Sequence, residues 1–318
     1  MRIALACPAG PGSLSGNRRT ALRYRAILRG LGHSTRVIDD ANRISPCDEL
    51  LIALHARKSA VAIEAWRDTH ADRPIVLVLT GTDLYEEKKR SATVAASIAA
   101  ATRIVVLQAD AKRYLSKTIA AKTRVIVQSA TPPANPSSTV RSHFDVCVSG
   151  HLRAVKDPLR AAMASRLLPE ESRIRIVQIG ACLEESWRLR VLREQQRNPR
   201  FRYLGSLPHQ RALNHLARCR LLVVSSRSEG GPNVVSEAIA CGVPILGSRI
   251  SGMVGLLGPN YPGYFAFGNT RELASLLHKA ETDGKFYQSL REQILRLQRL
   301  VDPQTERTAW RELLTELP

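Results

Sequence analysis

Residues 225–245 read SSRSEGGPNVVSEAIACGVPI, a stretch that indicates a strand end, a glycine loop, a helix and the start of another strand. Gly230 and Gly231 allow a ligand to approach the backbone closely, and Pro232 suits the first position of a helix. The first N–H groups of that helix and the positive end of its dipole point beyond the sheet edge. The segment therefore predicts an α/β fold with an anion site that suits a diphosphate.

Short apolar runs alternate with helix-length segments along the rest of the 318-residue chain. This pattern is typical of parallel strands that are covered on both faces by crossover helices. We therefore predict two doubly wound, Rossmann-like sheets. The predicted strands are residues 2–7, 34–38, 49–54, 74–80, 103–107 and 124–128, then 144–149, 173–179, 201–204, 220–225, 244–246 and 264–267. The predicted helices of the first half are residues 18–30, 58–70, 91–101 and 110–120.

A segment rich in proline and small polar residues, 129–143, has no hydrophobic periodicity and predicts a linker between two domains. We place the first domain at residues 1–136 and the second at residues 137–302. Pro303 interrupts the last helical region, which would let residues 303–318 pack back on the first domain. Two sheets of this kind place the carboxyl ends of their strands on facing sides of a central cleft, where two ligands can meet.

The chain is strongly basic, since 47 Lys and Arg against 28 Asp and Glu leave a net charge of +19. This excess favours an acidic partner and leaves open nucleic acid, an anionic membrane surface and phosphate-bearing small molecules. Basic residues form no long run and only 5% of residues are aromatic, which argues against nucleic acid. No segment reaches the length of a membrane span, so we expect a soluble cytoplasmic protein.

Metal-binding patterns are missing from the sequence. The six cysteines are scattered, and no two have the C-x-x-C spacing of a zinc or redox site. No D-x-D pair follows a predicted strand, and the histidines form no cluster with ligand spacing. We therefore expect neither a metal nor a cofactor, with cationic side chains stabilising an anionic ligand instead.

Two glutamates are candidates for ligand contacts, because Glu229 lies in the predicted glycine loop and Glu237 in the predicted helix after it. Carboxylates accept hydrogen bonds from paired hydroxyl groups, and about two turns of helix separate the two side chains. One carboxylate would contact a sugar while the other reaches a ribose. The alternative is a capped helix with a surface glutamate at each end.

A second candidate loop, GHLRAVKDPL at residues 150–159, follows the first predicted strand of the second domain. Arg153 would bind phosphate oxygens through its planar fork and Lys156 as a point charge. Both would neutralise negative charge on a leaving diphosphate. The alternative is a solvated basic start of a helix.

Three strand ends of the first domain are candidates for binding an acceptor: residues 8–20, which are rich in glycine, residues 54–58 and residues 79–85. His55 fits a catalytic role and equally a hydrogen-bonded histidine at a strand end. Asp83 fits an acceptor contact and equally a helix cap. The predicted acceptor-binding residues are Ser15, Gly16, Asn17, Arg18, Arg57, Lys58, Thr80, Thr82 and Asp83.

The glutamate pair with its glycines resembles the E-x7-E signature of family 4, the retaining glycosyltransferases of the GT-B fold. The resemblance implies that Glu229 contacts the donor sugar, that Glu237 holds the ribose, and that Arg153 and Lys156 form the basic pair of a G-x-x-R-x-x-K motif. His151 stands where many members carry a further arginine. The predicted catalytic residues are Glu229, Lys156, Arg153 and His55, and the predicted donor-binding residues are Gly230, Gly231, Pro232, Asn233, Val234, Glu237 and His151.

Further stretches over nearly the whole chain resemble the selenosugar synthases of selenoneine biosynthesis, namely residues 15–18, 54–58, 79–84, 125–130, 150–158 and 258–265. This resemblance implies a UDP-sugar donor, UDP-N-acetylglucosamine or UDP-glucose, and selenophosphate as acceptor, giving a 1-selenosugar, UDP and phosphate. Such an enzyme must bind two phosphate-bearing anions, the UDP-sugar and selenophosphate. The positive net charge of the chain is consistent with this requirement. Two alternatives stay open, an ordinary family 4 hexosyltransferase with a hydroxyl acceptor and a basic nucleic-acid-binding protein.

Overall fold

The computed structural model describes residues 1–13, 15–85, 91–134 and 142–318. The predicted linker lies partly outside these ranges, and the predicted domain boundary at residues 136 and 137 lies wholly outside them. The chain folds into two compact units. The first unit contains Met1–Gln128, Glu229–Gly231 and Pro303–Pro318, and the second contains Ser129–Ser228 and Pro232–Asp302.

Parallel strands form one six-stranded sheet in the described part of the first unit, in the order β2-β1-β3-β4-β5-β6. The strands are Arg2–Ala6 (β1), Ser34–Ile38 (β2), Leu50–Leu54 (β3), Ile75–Leu79 (β4), Arg103–Val106 (β5) and Thr123–Val125 (β6). The helices are Gly16–Gly30 (α1), Ala60–Thr69 (α2), Thr82–Tyr85 (α3), Ala92–Ala100 (α4) and Lys117–Ala121 (α5). The strand order reverses between β1 and β3, which are neighbours.

Apolar side chains fill both faces of this sheet. Every residue of β3 and of β4 is buried, which explains why these segments read as unbroken apolar runs. Tyr24 and Leu28 of α1 pack on one face, and Ile63 and Trp66 of α2 pack on the other. Burying a large apolar side chain contributes about 1.5–3 kcal/mol, so packing on both faces holds the strand ends that carry the candidate residues.

The predicted helix at residues 110–120 is wrong in one respect, because the structure breaks it into two pieces. Ala109–Tyr114 forms a 3-10 helix, and α5 begins only at Lys117. The break arises because Ser116 has an extended backbone and its hydroxyl accepts a hydrogen bond from the N–H of Ile119. Such an N-cap starts a new helix rather than continuing the old one.

The described part of the second unit also contains six parallel strands, in the order β12-β11-β10-β7-β8-β9. The strands are Phe144–Ser149 (β7), Ile174–Ile179 (β8), Phe201–Tyr203 (β9), Leu221–Val224 (β10), Ile245–Ser248 (β11) and Tyr264–Phe265 (β12). The helices are Arg160–Ser165 (α6), Glu185–Arg197 (α7), His209–Arg218 (α8), Asn233–Cys241 (α9), Ser251–Leu257 (α10), Thr270–Thr282 (α11) and Gly284–Arg296 (α12). The order reverses between β7 and β10, and the two sheets together confirm the predicted doubly wound α/β fold.

The last helix, Pro303–Thr315 (α13), belongs to the first unit. Its fully buried Trp310 packs edge-on against Tyr24 of α1, with ring centroids 4.7 Å apart. Beyond the helix, the carboxylate of Glu316 accepts hydrogen bonds from Arg103 at 3.1 Å and Arg124 at 2.9 Å. The chain after Pro303 is thus fixed to β6, an edge strand of the sheet, to its neighbour β5 and to α1.

Glu316→Gln is expected to lower the Tm by about 1 °C, because a partly exposed ion pair contributes less than about 1 kcal/mol. Arg124, and with it Arg103, lowers the pKa of the Glu316 carboxyl below its ordinary value of 4.5. The advantage of the wild type is therefore complete above pH 4.5 and fades as the pH falls through the lowered pKa. Thermal melts at several pH values check this, with Glu312→Gln on the exposed face of α13 as control. Equal melting curves for all three proteins at pH 7 would contradict it.

Candidate functional site

Two loops of the second unit follow β7 and β10, the neighbouring strands at which the order of the sheet reverses. Doubly wound sheets bind their ligands at this switch point, beyond the carboxyl ends of the strands. The loop after β7 carries the predicted residues His151, Arg153 and Lys156. The loop after β10 leads into the glycine segment and α9.

Hydrogen bonds to backbone carbonyl groups join these two loops. The hydroxyl of Ser225 donates to the carbonyl oxygens of Lys156 at 3.2 Å and Asp157 at 2.8 Å. The N–H of Arg227 donates to the carbonyl oxygen of Val155 at 2.8 Å. The basic loop is therefore fixed to the end of β10. Ser225 and Arg227 were not among the predicted residues, because hydrogen bonds to a carbonyl about 70 residues away leave no local sequence signal.

The two predicted cations of this loop lie around a short 3-10 helix, Ala154–Lys156. Arg153 is exposed at its start and Lys156 is half-buried at its end. The next residue, Asp157, adopts a left-handed backbone and its carboxylate pairs with Arg160 at 2.7 Å. The acidic side chain of the loop is thus neutralised by an arginine of α6, while the loop presents two cations at the switch point.

Close backbone packing places His151. Gly180 has φ +148° directly after β8, and a Cβ there would lie 1.9 Å from the carbonyl oxygen of Gly150. The neighbouring N–H of Ala181 donates to Nδ1 of His151 at 3.3 Å. Since Nδ1 accepts this bond, the neutral imidazole carries its proton on Nε2 and acts as a donor there.

The helix after the glycine loop begins at Asn233, one residue later than predicted, and Pro232 is its N-cap with an extended backbone. Asn233 and Val234 form the first turn, whose N–H groups are the anion-binding feature predicted from the sequence. The helix ends at Gly242 with φ +67°, a left-handed cap that suits glycine. The predicted order of loop, helix and glycine stop is therefore present.

The segment Glu229–Gly231 belongs to the first unit. Its two glycines pack closely against other residues of that unit. A Cβ on Gly230 would lie 2.1 Å from the carbonyl oxygen of Thr80, and a Cβ on Gly231 would lie 2.5 Å from Cβ of Leu107. The sequence predicted glycine here for the approach of a ligand. The structure adds a second requirement, since any other residue at Gly230 would collide with the loop after β4.

Glu237 lies in the second turn of α9 and is almost completely buried. Its Oε1 lies 2.9 Å from Nε2 of His209, the first residue of α8. Sequence reasoning missed His209. The glutamate motif covers only α9 and its loop, so it gives no information on the helix that supplies this partner.

Asp83 occupies a buried position between two strand ends of the first unit. Its carboxylate accepts hydrogen bonds from the N–H groups of Ala56 at 2.9 Å, Thr80 at 3.0 Å and Gly81 at 2.8 Å. The residue is only 2% exposed. This geometry supports the structural alternative for Asp83 rather than the acceptor contact, because its carboxylate ties the loop after β3 to the loop after β4.

His55 follows β3 with φ +72°, a backbone conformation that is rare outside glycine. Its Nδ1 accepts from the N–H of Lys58 at 3.4 Å and its Nε2 lies 3.1 Å from the hydroxyl oxygen of Thr82. Burial lowers the pKa of the imidazole; Asp83 partly opposes this effect, while Lys58 and Arg57 add to it. The ring is therefore neutral at pH 7 and donates from Nε2 to Thr82. These hydrogen bonds tie His55 to the loops after β3 and β4. They favour the structural alternative for His55.

The remaining acceptor candidates lie at the ends of β1 and β3, the neighbouring strands where this sheet reverses. Arg57 and Lys58 are exposed after β3. After β1, the hydroxyl of Ser15 accepts from the N–H of Arg18 at 3.3 Å and caps α1. Gly16, Asn17 and Arg18 form the first turn of that helix. These loops bring hydroxyl, amide and cationic groups to one edge of the first sheet.

The sequence profile described as Glycosyl transferases group 1 matches residues 137–296, half of the chain. The chain belongs to this family. The match covers both the basic loop and the glycine segment of the glycosyltransferase. The predicted family is therefore confirmed at the level of group 1 glycosyltransferases.

Solved structures with low sequence identity share the fold of this glycosyltransferase. Anabaena HepE, solved in complex with UDP and glucose, is 16% identical with a TM-score of 0.78 and 100% coverage of both chains. Sucrose-phosphate synthase from Thermosynechococcus elongatus is 16% identical, with a TM-score of 0.75 and coverage of 99% and 98%. An α,α-trehalose 6-phosphate synthase from Burkholderia multivorans is 13% identical, with a TM-score of 0.70 and coverage of 96% and 76%. These similarities confirm the predicted GT-B fold.

The described residues of this glycosyltransferase provide neither a metal-binding cluster nor a membrane-spanning helix. Within those ranges, no group of three or more His, Cys, Asp or Glu side chains is arranged to hold a metal ion. No helix of the described ranges combines the length and apolar character required to cross a membrane.

Proposed function

We propose that this glycosyltransferase transfers a hexose from UDP-glucose or UDP-N-acetylglucosamine to selenophosphate. Selenium attacks the anomeric carbon of the sugar while the bond from that carbon to the UDP oxygen breaks. Water then cleaves the Se–P bond. The products are a 1-selenosugar, UDP and phosphate.

One observation carries the donor part of this proposal. The basic loop is hydrogen-bonded to Ser225 and Arg227 at the end of β10. These bonds fix the loop that bears Arg153 and Lys156 at the switch point of the sheet. Cations in this position stabilise the negative charge that develops on a departing diphosphate. HepE, which shares the fold, was solved with UDP-glucose, and this supports a uridine nucleotide as the leaving group.

The acceptor part rests on the sequence stretches shared with selenosugar synthases and on the cations of the first sheet. Arg57 and Lys58 are exposed at the end of β3, and Arg18 lies in the first turn of α1. These side chains suit a second phosphate-bearing anion. A selenolate is already a strong nucleophile and needs little help from a general base. Both ring nitrogens of His55 are hydrogen-bonded to protein groups. This is compatible with an acceptor that needs no general base.

A hydroxyl acceptor is the second candidate. It is favoured by the similarity in fold to sucrose-phosphate synthase and trehalose 6-phosphate synthase. In that case the same donor loop would serve, and the acceptor would be a sugar or sugar phosphate. The family match favours either enzyme over the nucleic-acid-binding alternative.

Incubation of the purified protein with selenophosphate and each UDP-sugar is expected to consume both substrates. Mass spectrometry should detect UDP and a hexose that carries the selenium isotope pattern. Parallel reactions with glucose 6-phosphate and fructose 6-phosphate test the hydroxyl acceptors. Reactions in EDTA should proceed at the same rate, since the proposal keeps cationic side chains in place of a metal.

Each part of the proposal has its own contradicting result. Release of UDP without any selenium-containing sugar would remove selenophosphate as the acceptor. Absence of UDP release with every acceptor would remove the UDP-sugar donor. Loss of activity in EDTA that Mg²⁺ or Mn²⁺ restores would show that a metal takes part.

A further inference from the structure

A histidine of α8 contacts the glutamate that the family motif assigns to the donor ribose. Nε2 of His209 lies 2.9 Å from Oε1 of Glu237. His209 is the first residue of α8, and Glu237 lies in the second turn of α9, so the contact joins two packed helices. A side chain outside the motif thus bonds directly to a side chain that defines it.

The two partners differ in their access to water. The side chain of Glu237 is 11% exposed, whereas that of His209 is 52% exposed. A carboxylate with so little access to water requires hydrogen-bond donors from the protein. The imidazole supplies one of them from the solvent side, so His209 lies nearer to solvent than the glutamate that it bonds.

The negative charge of Glu237 raises the pKa of two cysteine thiols. The pKa of the Cys241 thiol, one turn further along α9, is raised to about 11 by burial and by Glu237. The pKa of Cys147 on β7 is raised by its hydrogen bond with Cys219, by burial and, in smaller part, by Glu237. The geometry agrees with this, since α8, which carries His209, packs on both α9 and β7. β7 leads into the loop of Arg153 and Lys156.

We propose that His209 is a positioning residue for donor binding, which fixes the Glu237 carboxylate so that it accepts hydrogen bonds from the ribose hydroxyls. The inference rests on the proposed UDP-sugar donor. A carboxylate that is already held in one rotamer loses less conformational freedom when the nucleotide binds. Supporting side chains of this kind keep a binding group in its productive geometry. His209 thus acts on nucleotide affinity and leaves kcat unchanged.

Calorimetry with UDP and with 2′,3′-dideoxy-UDP, which lacks both ribose hydroxyls, isolates this effect. The wild type should bind UDP more tightly than the dideoxy nucleotide. His209→Ala should weaken UDP binding about tenfold, the equivalent of one hydrogen bond to a charged group. It should leave the affinity for dideoxy-UDP unchanged, because that ligand has no hydroxyl for Glu237 to hold. His209→Gln keeps a side-chain N–H donor and should restore most of the affinity for UDP.

His215→Ala, on the same helix, is the matched control and should bind both nucleotides like the wild type. In steady-state assays, His209→Ala should raise the KM for the donor about tenfold and change kcat less than twofold. An equal loss of affinity for both nucleotides would indicate a general structural role and overturn the inference. Unchanged UDP binding in His209→Ala would overturn it as well. A wild type that binds no UDP would overturn the proposed donor itself, which distinguishes the two failures.

Discussion

Replacement of Lys156 by alanine is expected to lower kcat by about 10²–10³-fold, the usual effect of removing a charge that stabilises a developing anion. Lys156 is half-buried, and its backbone carbonyl rather than its side chain accepts from Ser225. Truncation should therefore leave the loop in place. Initial rates of UDP release, measured at saturating donor, give the change in kcat directly.

Two variants complete the test of this cation. Lys156→Arg keeps the charge but changes its shape and reach, so its rate should fall between those of the wild type and Lys156→Ala. Lys285→Ala removes an exposed lysine from α12 of the same unit and should keep full activity. A wild-type kcat in Lys156→Ala would exclude this side chain from the chemical step. An unchanged Tm in all three variants ensures that the comparison concerns catalysis rather than folding.

Gly180→Ala is expected to destabilise the protein by about 3 kcal/mol or more, because backbone strain and overpacking each cost about 1–3 kcal/mol. The new Cβ would lie 1.9 Å from the carbonyl oxygen of Gly150, and φ at this position is +148°. No flexible side chain is present to move aside. In a protein of this size the Tm should fall by at least about 4 °C, as a thermal melt followed by circular dichroism will measure.

Gly205 provides a matched control for this substitution. It also has a positive φ, +71°, but a Cβ there would meet no atom within 4 Å. Gly205→Ala should therefore carry only the strain of a left-handed residue, about 1–2 kcal/mol. The difference between the two variants measures the collision at Gly150 together with the difference in strain between the two backbone conformations. Equal losses of Tm would show that the loops after β7 and β8 do not pack as tightly as the structure describes.

The sequence predicts the frame of the molecule well because the relevant signals are local. Parallel strands buried on both faces leave apolar runs without alternation, and β3 and β4 are of this kind. The glycine loop before α9 is likewise visible in a single stretch of about 20 residues. The break in the predicted helix at residues 110–120 was missed because one capping hydroxyl, that of Ser116, outweighed the continuing helical pattern.

The side-chain partners of the site lie beyond what the sequence pattern can predict. His209 meets Glu237 across 28 positions of the chain, and Asp83 meets Ala56 across 27. Such pairs form because the fold brings strand ends and helix ends together, and neither partner alone has a distinctive neighbourhood. For the same reason His55 read equally well as a catalytic residue and as a structural one. Only the hydrogen bonds to Lys58 and Thr82 favour the second role.

In the loops after β3 and β4, the residue that fixes the backbone differs from the residues that are exposed to solvent. Asp83 fixes the backbone. One buried anchor sets the path of two loops, while the neighbouring Arg57 and Lys58 are exposed. If Arg57 and Lys58 bind the acceptor as proposed, exchanges at these two exposed positions would alter acceptor recognition without disturbing the buried anchor. On that proposal, a lineage of these enzymes would change its acceptor by a few surface replacements and inherit the two loops intact.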